Sequence, residues 1–249
     1  MKRNQFFIAL LLLACTLLSC QNEKKQQSSI ANKSNMEKND TILKPFVAEN
    51  LFWIREPQKY TITDSLITIV SEPHTDLWQR TYYGFSNDNA PVLQMKTSNM
   101  FFSFTVKTSF NSSALFDQCG IAIYLDSDNW MKASIEYENE EYQRLGSVVT
   151  NNGYSDWATH DIPSSIKEMW YRLSRRGSDY YIETSLDGTT FHQMRTFHLD
   201  KGDGEISFGI YAASPVDHSF TARFSNMKIE NCKWKAWSSH ETGFSQTTK

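Results

Sequence analysis

The sequence predicts an all-β domain built as a two-sheet antiparallel β-sandwich. Apolar and polar residues alternate with a period of two in many short segments, for example 102–110 and 121–125. Turn-forming residues separate these segments, as at 126–129 and 151–153, and no long stretch has a helical period. Roughly ten or more short strands without long helices are typical of two packed sheets.

The composition supports one large domain. The 249 residues are 40% hydrophobic and 14% aromatic, which is enough for a substantial core. Aromatic and β-branched residues are abundant, whereas the 10 glycines and 6 prolines are few, which excludes fibrous and broadly disordered classes. The formal net charge of -3 offers no electrostatic reason to bind nucleic acid, so no nucleic-acid partner is expected.

The amino terminus has the pattern of a bacterial lipoprotein signal. A basic start precedes an apolar run over 6–18, which ends in the lipobox-like Leu17-Leu18-Ser19-Cys20. The run is about 13 residues long, too short for a membrane-spanning helix. We therefore expect residues 1–19 to be a signal peptide and an acylated Cys20 to hold the protein on the lipid bilayer of the cell envelope, on the outer membrane. The alternative is an ordinary signal peptide with an incidental cysteine.

The remaining chain divides by composition. Residues 20–44 are polar and poor in apolar side chains, which predicts a flexible tether. The strand pattern occupies 45–232, and residues 233–249 form a polar C-terminal tail. The alternating segments are 102–110, 121–125, 171–175, 206–211 and 220–224, with turn signals at 126–129, 151–153, 176–179, 186–188 and 201–204.

Familiar catalytic and metal-binding motifs are missing. The sequence contains no HExxH, paired CxxC, GxSxG or glycine-rich phosphate loop, and its six histidines are scattered. Asp126-Ser127-Asp128 resembles the start of a calcium loop, but Trp130 occupies the next ligand position and the expected glycine is missing. We therefore predict no catalytic residue, no metal site and no cofactor, and we interpret 126–129 as a turn.

Two cysteines follow Cys20, namely Cys119 and Cys232. An exported protein with two such cysteines is compatible with one disulfide. Cys119, however, stands beside a glycine in a predicted strand, where a small buried residue is the simpler interpretation.

A row of functional groups is predicted on one face of the central strand. By the period of two, this face carries Trp130, Lys132, Ser134 and Glu136. Asp117-Gln118 and Ser155-Asp156-Trp157 flank the strand and add amide, carboxylate and indole groups. Such a surface suits a sugar, because its ring stacks on aromatic side chains and its hydroxyls pair with polar ones. The alternative is a solvated face with a structural ion pair between Lys132 and Glu136.

Short motifs along the chain also carry a resemblance. They are Thr75-Asp76-Leu77-Trp78, Tyr83-Gly84, Phe116-Asp117-Gln118-Cys119-Gly120, Asn129-Trp130-Met131-Lys132, Ile135-Glu136-Tyr137, Ser147-Val148-Val149-Thr150, Ser155-Asp156-Trp157, Trp170-Tyr171-Arg172-Leu173, Ser185-Leu186-Asp187-Gly188, Arg195 and Ser214-Pro215. Their order resembles the DUF1349 family, which is similar to the yeast regulation of enolase protein and belongs to the concanavalin A-like lectin/glucanase superfamily. The resemblance covers 46–230. It implies a concanavalin A-like jelly roll and no established reaction.

The polar face and the matched motifs together define the expected ligand-binding residues. These are Asp117, Gln118, Trp130, Lys132, Ser147, Thr150, Glu136, Asp156, Trp157 and Arg172. Our leading hypothesis is a membrane-anchored, non-catalytic, lectin-like domain with a glycan ligand. The alternatives are a module with a protein partner, as the resemblance to the enolase regulator suggests, and a glycoside hydrolase that uses Glu136 and Glu138 as its carboxyl pair.

Overall fold

Two seven-stranded sheets pack face to face in the computed structural model, which describes residues 43–237. The predicted signal peptide, Cys20 and the tether up to residue 42 lie outside the described residues, as does the predicted tail from residue 238. Within 43–237, no helix is long and apolar enough to cross a membrane. Helical structure in this range amounts to one 3-10 turn, Ala48–Asn50.

Within residues 43–237, sixteen strands alternate with turns and loops. In chain order they are Phe52–Ile54 (β1), Tyr60–Ile62 (β2), Leu66–Val70 (β3), Leu77–Gln79 (β4), Ser86–Asp88 (β5), Val92–Thr97 (β6), Phe101–Phe110 (β7), Gln118–Asp126 (β8), Asn129–Tyr137 (β9), Tyr142–Asn151 (β10), Tyr154–Pro163 (β11), Glu168–Arg176 (β12), Asp179–Ser185 (β13), His192–His198 (β14), Ile206–Ala213 (β15) and Thr221–Asn231 (β16). The first sheet has the order β1-β6-β15-β8-β9-β10-β11, and the second has the order β14-β13-β12-β7-β16-β3-β2. Neighbouring strands are antiparallel throughout both sheets, so the predicted sandwich is confirmed.

The main core lies between the two sheets, and strand β9 shows how the alternation builds it. Met131, Ala133 and Ile135 are fully buried there, against residues of the second sheet such as Phe104 and Leu173. Because successive side chains of a strand point to opposite faces, the residues between them face outward. The predicted strands at 102–110 and 121–125 are confirmed as parts of β7 and β8.

The outer face of the first sheet carries a second, smaller core. Tyr124, Trp130 and Tyr211 are buried on this face against Leu77 and Trp78. The last two belong to residues 72–91, which cross the sheet between β3 and β6 and which we call the covering segment. The central strands are therefore buried on both faces, whereas the alternating pattern alone predicts one apolar face.

Long-range hydrogen bonds hold the covering segment in place. Pro73 forms a parallel bridge with Ser214, and the Ser214 backbone N–H donates to Oγ1 of Thr75 at 3.0 Å. Asn89 closes the segment on itself, because its Nδ2 donates to the His74 carbonyl and its Oδ1 accepts from the Asp76 N–H, both at 2.8 Å. The entry and exit of the segment are thus tied together over the sheet.

The predicted turn at 126–129 joins β8 to β9. Oδ1 of Asp126 accepts hydrogen bonds from the Asp128 N–H at 2.9 Å and from Nδ2 of Asn129 at 2.8 Å. Its Oδ2 lies 3.0 Å from Nζ of Lys201. Oδ1 is therefore used inside the turn and Oδ2 by Lys201. Residues 43–237 contain no group of three or more His, Cys, Asp or Glu side chains arranged for a metal ion.

Cys119 lies in β8, fully buried in the main core, and its thiol is free. Burial raises the pKa of this thiol well above its usual value. The sulfur of Cys232 instead donates to the Arg175 carbonyl at 3.4 Å. The structure thus agrees with the packing interpretation of Cys119 and not with the disulfide.

Candidate functional site

An open groove of about 500 Å³ lies on the outer face of the first sheet, beside the covering segment. This volume is in the range of small-molecule sites, about 300 to 1,000 Å³. Its polar lining residues are Asp76, Asn87, Gln118, Lys132, Glu136, Glu138 and Arg144. Its apolar lining residues are Trp78, Tyr83, Phe85, Phe116, Val148, Trp157, Pro215 and Val216.

The groove floor is built from rows of side chains that cross the sheet. Glu136 of β9 lies between its partners Gln118 on β8 and Arg144 on β10. Lys132 lies in a parallel row, with Val148 of β10 as its partner. Residues that are two or four positions apart on a strand share a face, so the register brings these groups together.

Small residues between the two rows leave a deep niche in the floor. The niche holds about 10 Å³ and is bordered by Lys132, Ser134, Glu136, Gly146 and Trp157, among others. This is the space that one water molecule occupies. A Cβ atom on Gly146 would lie 3.0 Å from the indole nitrogen of Trp157, so a side chain there would crowd the niche.

Lys132 is the buried cation of the floor, with only 4% of its side chain exposed. Its Nζ lies 3.0 Å from Oδ1 of Asp76 and 2.7 Å from Oε1 of Gln118. Gln118 is fixed in turn, because its Nε2 donates to Asp76 at 3.3 Å and its Oε1 lies 3.1 Å from the Tyr211 hydroxyl. The structural ion pair considered between Lys132 and Glu136 is not formed, because the covering segment supplies Asp76 to Lys132 instead.

Arg144 forms a second charged pair. Its Nη1 lies 2.8 Å from Oε1 of Glu138, just beyond the end of β9. Its guanidinium also lies over the Trp157 ring, 5.3 Å from the ring centroid, which is a cation-π distance. The pair thereby holds the indole of Trp157 at the groove.

Glu136 lies in the groove between these two pairs. Among residues 43–237 no side chain or backbone group forms a hydrogen bond or ion pair with its partly buried carboxylate. Burial raises the pKa of Glu136 to about 7; Lys132 and Arg144 act against this rise, and Asp76 and Glu138 add to it. A carboxyl of this kind is ready to accept a partner from outside the chain.

Aromatic side chains of the covering segment form the groove wall. Trp78 packs edge-on against Tyr83, with ring centroids 5.4 Å apart, and against Trp157 at 6.3 Å. Tyr83 stacks on Phe85 at 5.7 Å. Tyr83 and Phe85 are 54% and 46% exposed, so their rings remain available to a ligand.

The backbone of residues 80–84 turns sharply to present these rings. Arg80, Tyr82 and Gly84 have positive φ values of 57°, 61° and 75°. This left-handed conformation is strained for residues with a Cβ atom and costs glycine little.

The strands that form the groove lie within a known protein family. A family model described as "Protein of unknown function (DUF1349)" matches residues 53–232, which include almost every strand of the sandwich. The chain belongs to the DUF1349 family. The resemblance seen in the sequence motifs is thereby confirmed.

A yeast sequence and a yeast crystal structure are similar to this DUF1349 domain. Regulation of enolase protein 1 of Saccharomyces cerevisiae is 28% identical over 177 residues, which are 71% of this chain and 87% of the yeast protein. A crystal structure of a functionally unknown protein from Saccharomyces cerevisiae has a TM-score of 0.68 at 27% identity, and the match covers 74% of this chain and 97% of that one.

Solved GH43 structures share the fold. The GH43 protein BlXynB from Bacillus licheniformis has a TM-score of 0.59 at 15% identity, with 76% of this chain matching 38% of that chain. A Bacteroides ovatus GH43B structure gives a TM-score of 0.58 at 14% identity, over 76% of this chain and 38% of that chain. At these identities the likeness shows the sandwich fold alone.

The predicted ligand-binding residues of the DUF1349 domain fall into distinct places. Those that line the groove are Gln118, Lys132, Glu136 and Trp157. Trp130 shares their face but is fully buried beneath the covering segment, where its Nε1 donates to the Ser127 carbonyl at 3.1 Å. The period of two assigned its face correctly, and the covering segment removes it from the surface.

Asp117 and Thr150 are buried in supporting positions. Oδ2 of Asp117 accepts hydrogen bonds from the backbone N–H groups of Ser113 and Ala114, both at 3.0 Å, and its Oδ1 accepts from Oγ of Ser214 at 2.7 Å. Oγ1 of Thr150 lies 2.8 Å from Oγ of Ser155, which accepts from the Gln79 N–H at 2.9 Å and so ties down the covering segment.

The other three predicted residues are not part of the groove lining, although Ser147 borders the niche in its floor. Asp156 and Ser147 contact Arg195 of β14 in the second sheet, at 3.0 Å through the Asp156 carboxylate and 3.4 Å through Oγ of Ser147. Arg172 belongs to the second sheet, where it forms two 2.7 Å hydrogen bonds with Glu183 and stacks on Phe191 at 3.9 Å. Asp156 precedes Trp157 on β11 and therefore points to the opposite face, and Arg172 belongs to the other sheet, so neither of these two residues lines the groove.

Several groove residues were absent from the predicted set. They include Asp76, Trp78, Tyr83, Phe85, Glu138 and Arg144, with Glu138 considered only as half of a catalytic pair. Two of the motifs that carry the family resemblance, around Asp76 and Tyr83, lie in the covering segment and could have drawn attention to it. Nothing local to the sequence indicates that this segment packs over the central strands.

Proposed function

We propose that this DUF1349 domain is a non-catalytic lectin-like module that binds carbohydrate in the groove. The proposal rests chiefly on one observation: exposed rings of Tyr83 and Phe85 lie at the same groove as the fixed polar floor. Sugars present apolar C–H faces to aromatic rings and hydroxyls to polar groups, so the two surfaces suit the two sides of one ligand.

The polar floor is organised before any ligand arrives. Lys132, Gln118 and Asp76 form hydrogen bonds with one another, and the Asp76 carboxylate uses Oδ1 for these bonds. The same oxygen accepts from the Leu77 N–H at 2.7 Å. Side chains that are already ordered lose little conformational entropy on binding. Oδ2 of Asp76 and the Glu136 carboxyl are then the acceptors for ligand donors.

The charge pairs favour binding over hydrolysis. A glycoside hydrolase needs one carboxyl as a general acid and a second as a nucleophile or base. Of the three carboxyls that line the groove, Asp76 is paired with Lys132 and Glu138 with Arg144. Release of reducing sugar from a bound glycan would assign the groove to the hydrolase alternative.

A glycan array followed by calorimetric titration tests the proposal. Tyr83→Ala should weaken the affinity for an array-positive glycan by about three- to tenfold, because one stacking ring contributes roughly 0.5 to 1.5 kcal/mol. Tyr154→Ala is the matched control, since Tyr154 is 63% exposed and does not line the groove. An array without a hit, or equal effects of the two variants, would refute a carbohydrate site here.

A protein partner is a second candidate. Tyr82, Tyr83 and Phe85 form a cluster of exposed rings, and exposed apolar clusters often mark protein interfaces. The name of the similar yeast protein connects it with enolase regulation. Direct titration of purified enolase against the parent and Tyr82→Ala separates this candidate from glycan binding.

We also propose that an acylated Cys20 anchors the domain to the bilayer of a bacterial cell envelope, on the outer membrane. The basis is the lipobox-like Leu17-Leu18-Ser19-Cys20 after a short apolar run. Cys20→Ala should move the protein from the detergent phase to the aqueous phase in detergent partitioning. A variant that partitions like the parent would overturn the anchor.

A further inference from the structure

The groove floor has one charge without a counter-ion. Of its five charged lining residues, Lys132 is paired with Asp76 at 3.0 Å and Arg144 with Glu138 at 2.8 Å. Glu136 has no partner among the described residues. With three carboxylates and two cations, the ionised floor carries a net charge of -1.

We propose that the carbohydrate ligand carries a protonated primary amine, as a de-N-acetylated amino sugar does, and that Glu136 binds this amine in the niche. The inference rests on the proposed carbohydrate function and adds the class of sugar. The choice of an amine follows from the position of Glu136 between two ion pairs, Lys132–Asp76 and Arg144–Glu138, that already balance their own charges.

Charge balance favours an amine over a neutral hydroxyl. An ionised carboxylate that loses water without gaining a partner is costly, and an ammonium group supplies both the hydrogen bond and the missing charge. Lys132 and Arg144 would repel a ligand cation if they were unpaired, but each is already held by its own carboxylate. The unmatched negative charge is therefore left to the ligand.

The size of the niche points the same way. Its volume of about 10 Å³, bordered by Ser134, Gly146 and Trp157, accommodates a group the size of one water molecule. An ammonium group is of that size. An acetamido group is several times larger, so N-acetylation of the sugar should exclude it from the niche.

The titration of Glu136 agrees with this role. The charged or titratable groups that act on its carboxyl are Lys132, Asp76, Glu138, Arg144 and Tyr211. Burial outweighs the two cations and raises the pKa of Glu136 to about 7. A bound ammonium would stabilise the ionised form and expel the proton.

Titration calorimetry of the full chain at pH 6 tests the inference. The probes are oligosaccharides of equal length in the glucose and galactose series, each as the free amine, the N-acetylated form and the neutral parent sugar. In at least one series the amine form should bind about tenfold or more tightly than both others, the usual effect of one charge-assisted hydrogen bond. Glu136→Gln should remove this preference, so that the amine form binds no more tightly than the N-acetylated and neutral forms.

Proton exchange gives an independent readout in buffers of different ionisation enthalpy. With a pKa of about 7, about nine-tenths of Glu136 is protonated at pH 6. Binding of the amine form should therefore release close to one proton, and the Glu136→Gln variant should release none.

A matched control excludes general attraction of a cationic sugar. Glu205→Gln removes the same charge outside the groove, where 54% of the Glu205 side chain is exposed. If both variants lose the amine preference equally, the inference is wrong. If neutral or N-acetylated sugars bind as tightly as amines, the inference fails while the carbohydrate site stands. If no sugar binds in either series, both proposals fail.

Discussion

Nζ of Lys132 lies 3.0 Å from Oδ1 of Asp76, although 56 positions separate the two residues in the chain. Both side chains are well buried, with exposures of 4% and 15%. The pair links β9 to the covering segment, so the groove floor and its wall share one electrostatic contact. Loss of one partner of such a pair is costly, because it leaves the other charge buried and unmatched.

Lys132→Met should lower the free energy of unfolding by about 3 to 5 kcal/mol. In a domain of this size each kcal/mol lowers the melting temperature by roughly 2 to 4 °C, so a loss of about 6 °C or more is expected by differential scanning calorimetry. Lys107→Met is the control, since Lys107 pairs with Glu168 at the surface, where 54% of the Glu168 side chain is exposed; it should cost less than about 1 kcal/mol. Equal losses would contradict a structural role of the buried pair.

Glu136→Gln should change how stability depends on pH. The folded-state pKa of about 7 lies above the usual value for glutamate, so the folded protein holds this proton more tightly than the unfolded chain does. The resulting stabilisation is complete below about pH 4 and is lost as the pH rises through about 7. The variant should therefore match the parent near pH 4 and exceed it by about 3 kcal/mol at pH 8 in urea unfolding. A difference that stays constant over this range would contradict the raised pKa.

Asp117→Ala should destabilise the protein by about 3 kcal/mol or more, because it leaves the Ser113 and Ala114 N–H groups and the Ser214 hydroxyl without their acceptor. Asp156→Ala is the matched control, with 75% of the Asp156 side chain exposed, and should cost less than about 1 kcal/mol. Thermal unfolding measures both. Neither variant should change glycan affinity in the folded protein, and a selective loss of affinity in either would reassign that residue to the site.

Arg175→Lys should destabilise the protein by about 3 kcal/mol. Arg175 is fully buried, and its guanidinium donates to the carbonyls of Asn99, Gly177, Gly202 and Gly204 at 2.7 to 2.9 Å. A lysine has three donors on one atom and cannot span these acceptors, so buried carbonyls lose their partners. Urea unfolding measures the loss, and a variant as stable as the parent would show that water replaces the guanidinium.

Much of the fold could be predicted because strand alternation is a local property. The period of two places Met131, Ala133 and Ile135 in the main core and leaves Lys132 and Glu136 on the opposite face, as the structure has them. The predicted turns fall between strands for the same reason, since turn residues act over three or four positions.

The rest of the site depends on contacts that no local pattern encodes. Asp76 reaches Lys132 only because the covering segment crosses the sheet, and the same crossing buries Trp130. Arg172 was predicted at the site from a family motif, but membership of such a motif does not reveal which sheet, or which face, a strand residue occupies. Sheet order and register decide both, and they arise from pairings between distant segments.

The separate attachment of the groove wall has a consequence for how readily its aromatic residues can be exchanged. The covering segment carries three exposed rings, those of Tyr82, Tyr83 and Phe85, and is held to the sheet at Pro73. These rings add exposed surface to the domain and little to its core. Exchange of these three rings should therefore cost little folding free energy, provided that Gly84 keeps its left-handed backbone. A library randomised at residues 82, 83 and 85 should then retain the sandwich while it varies the aromatic wall of the proposed site.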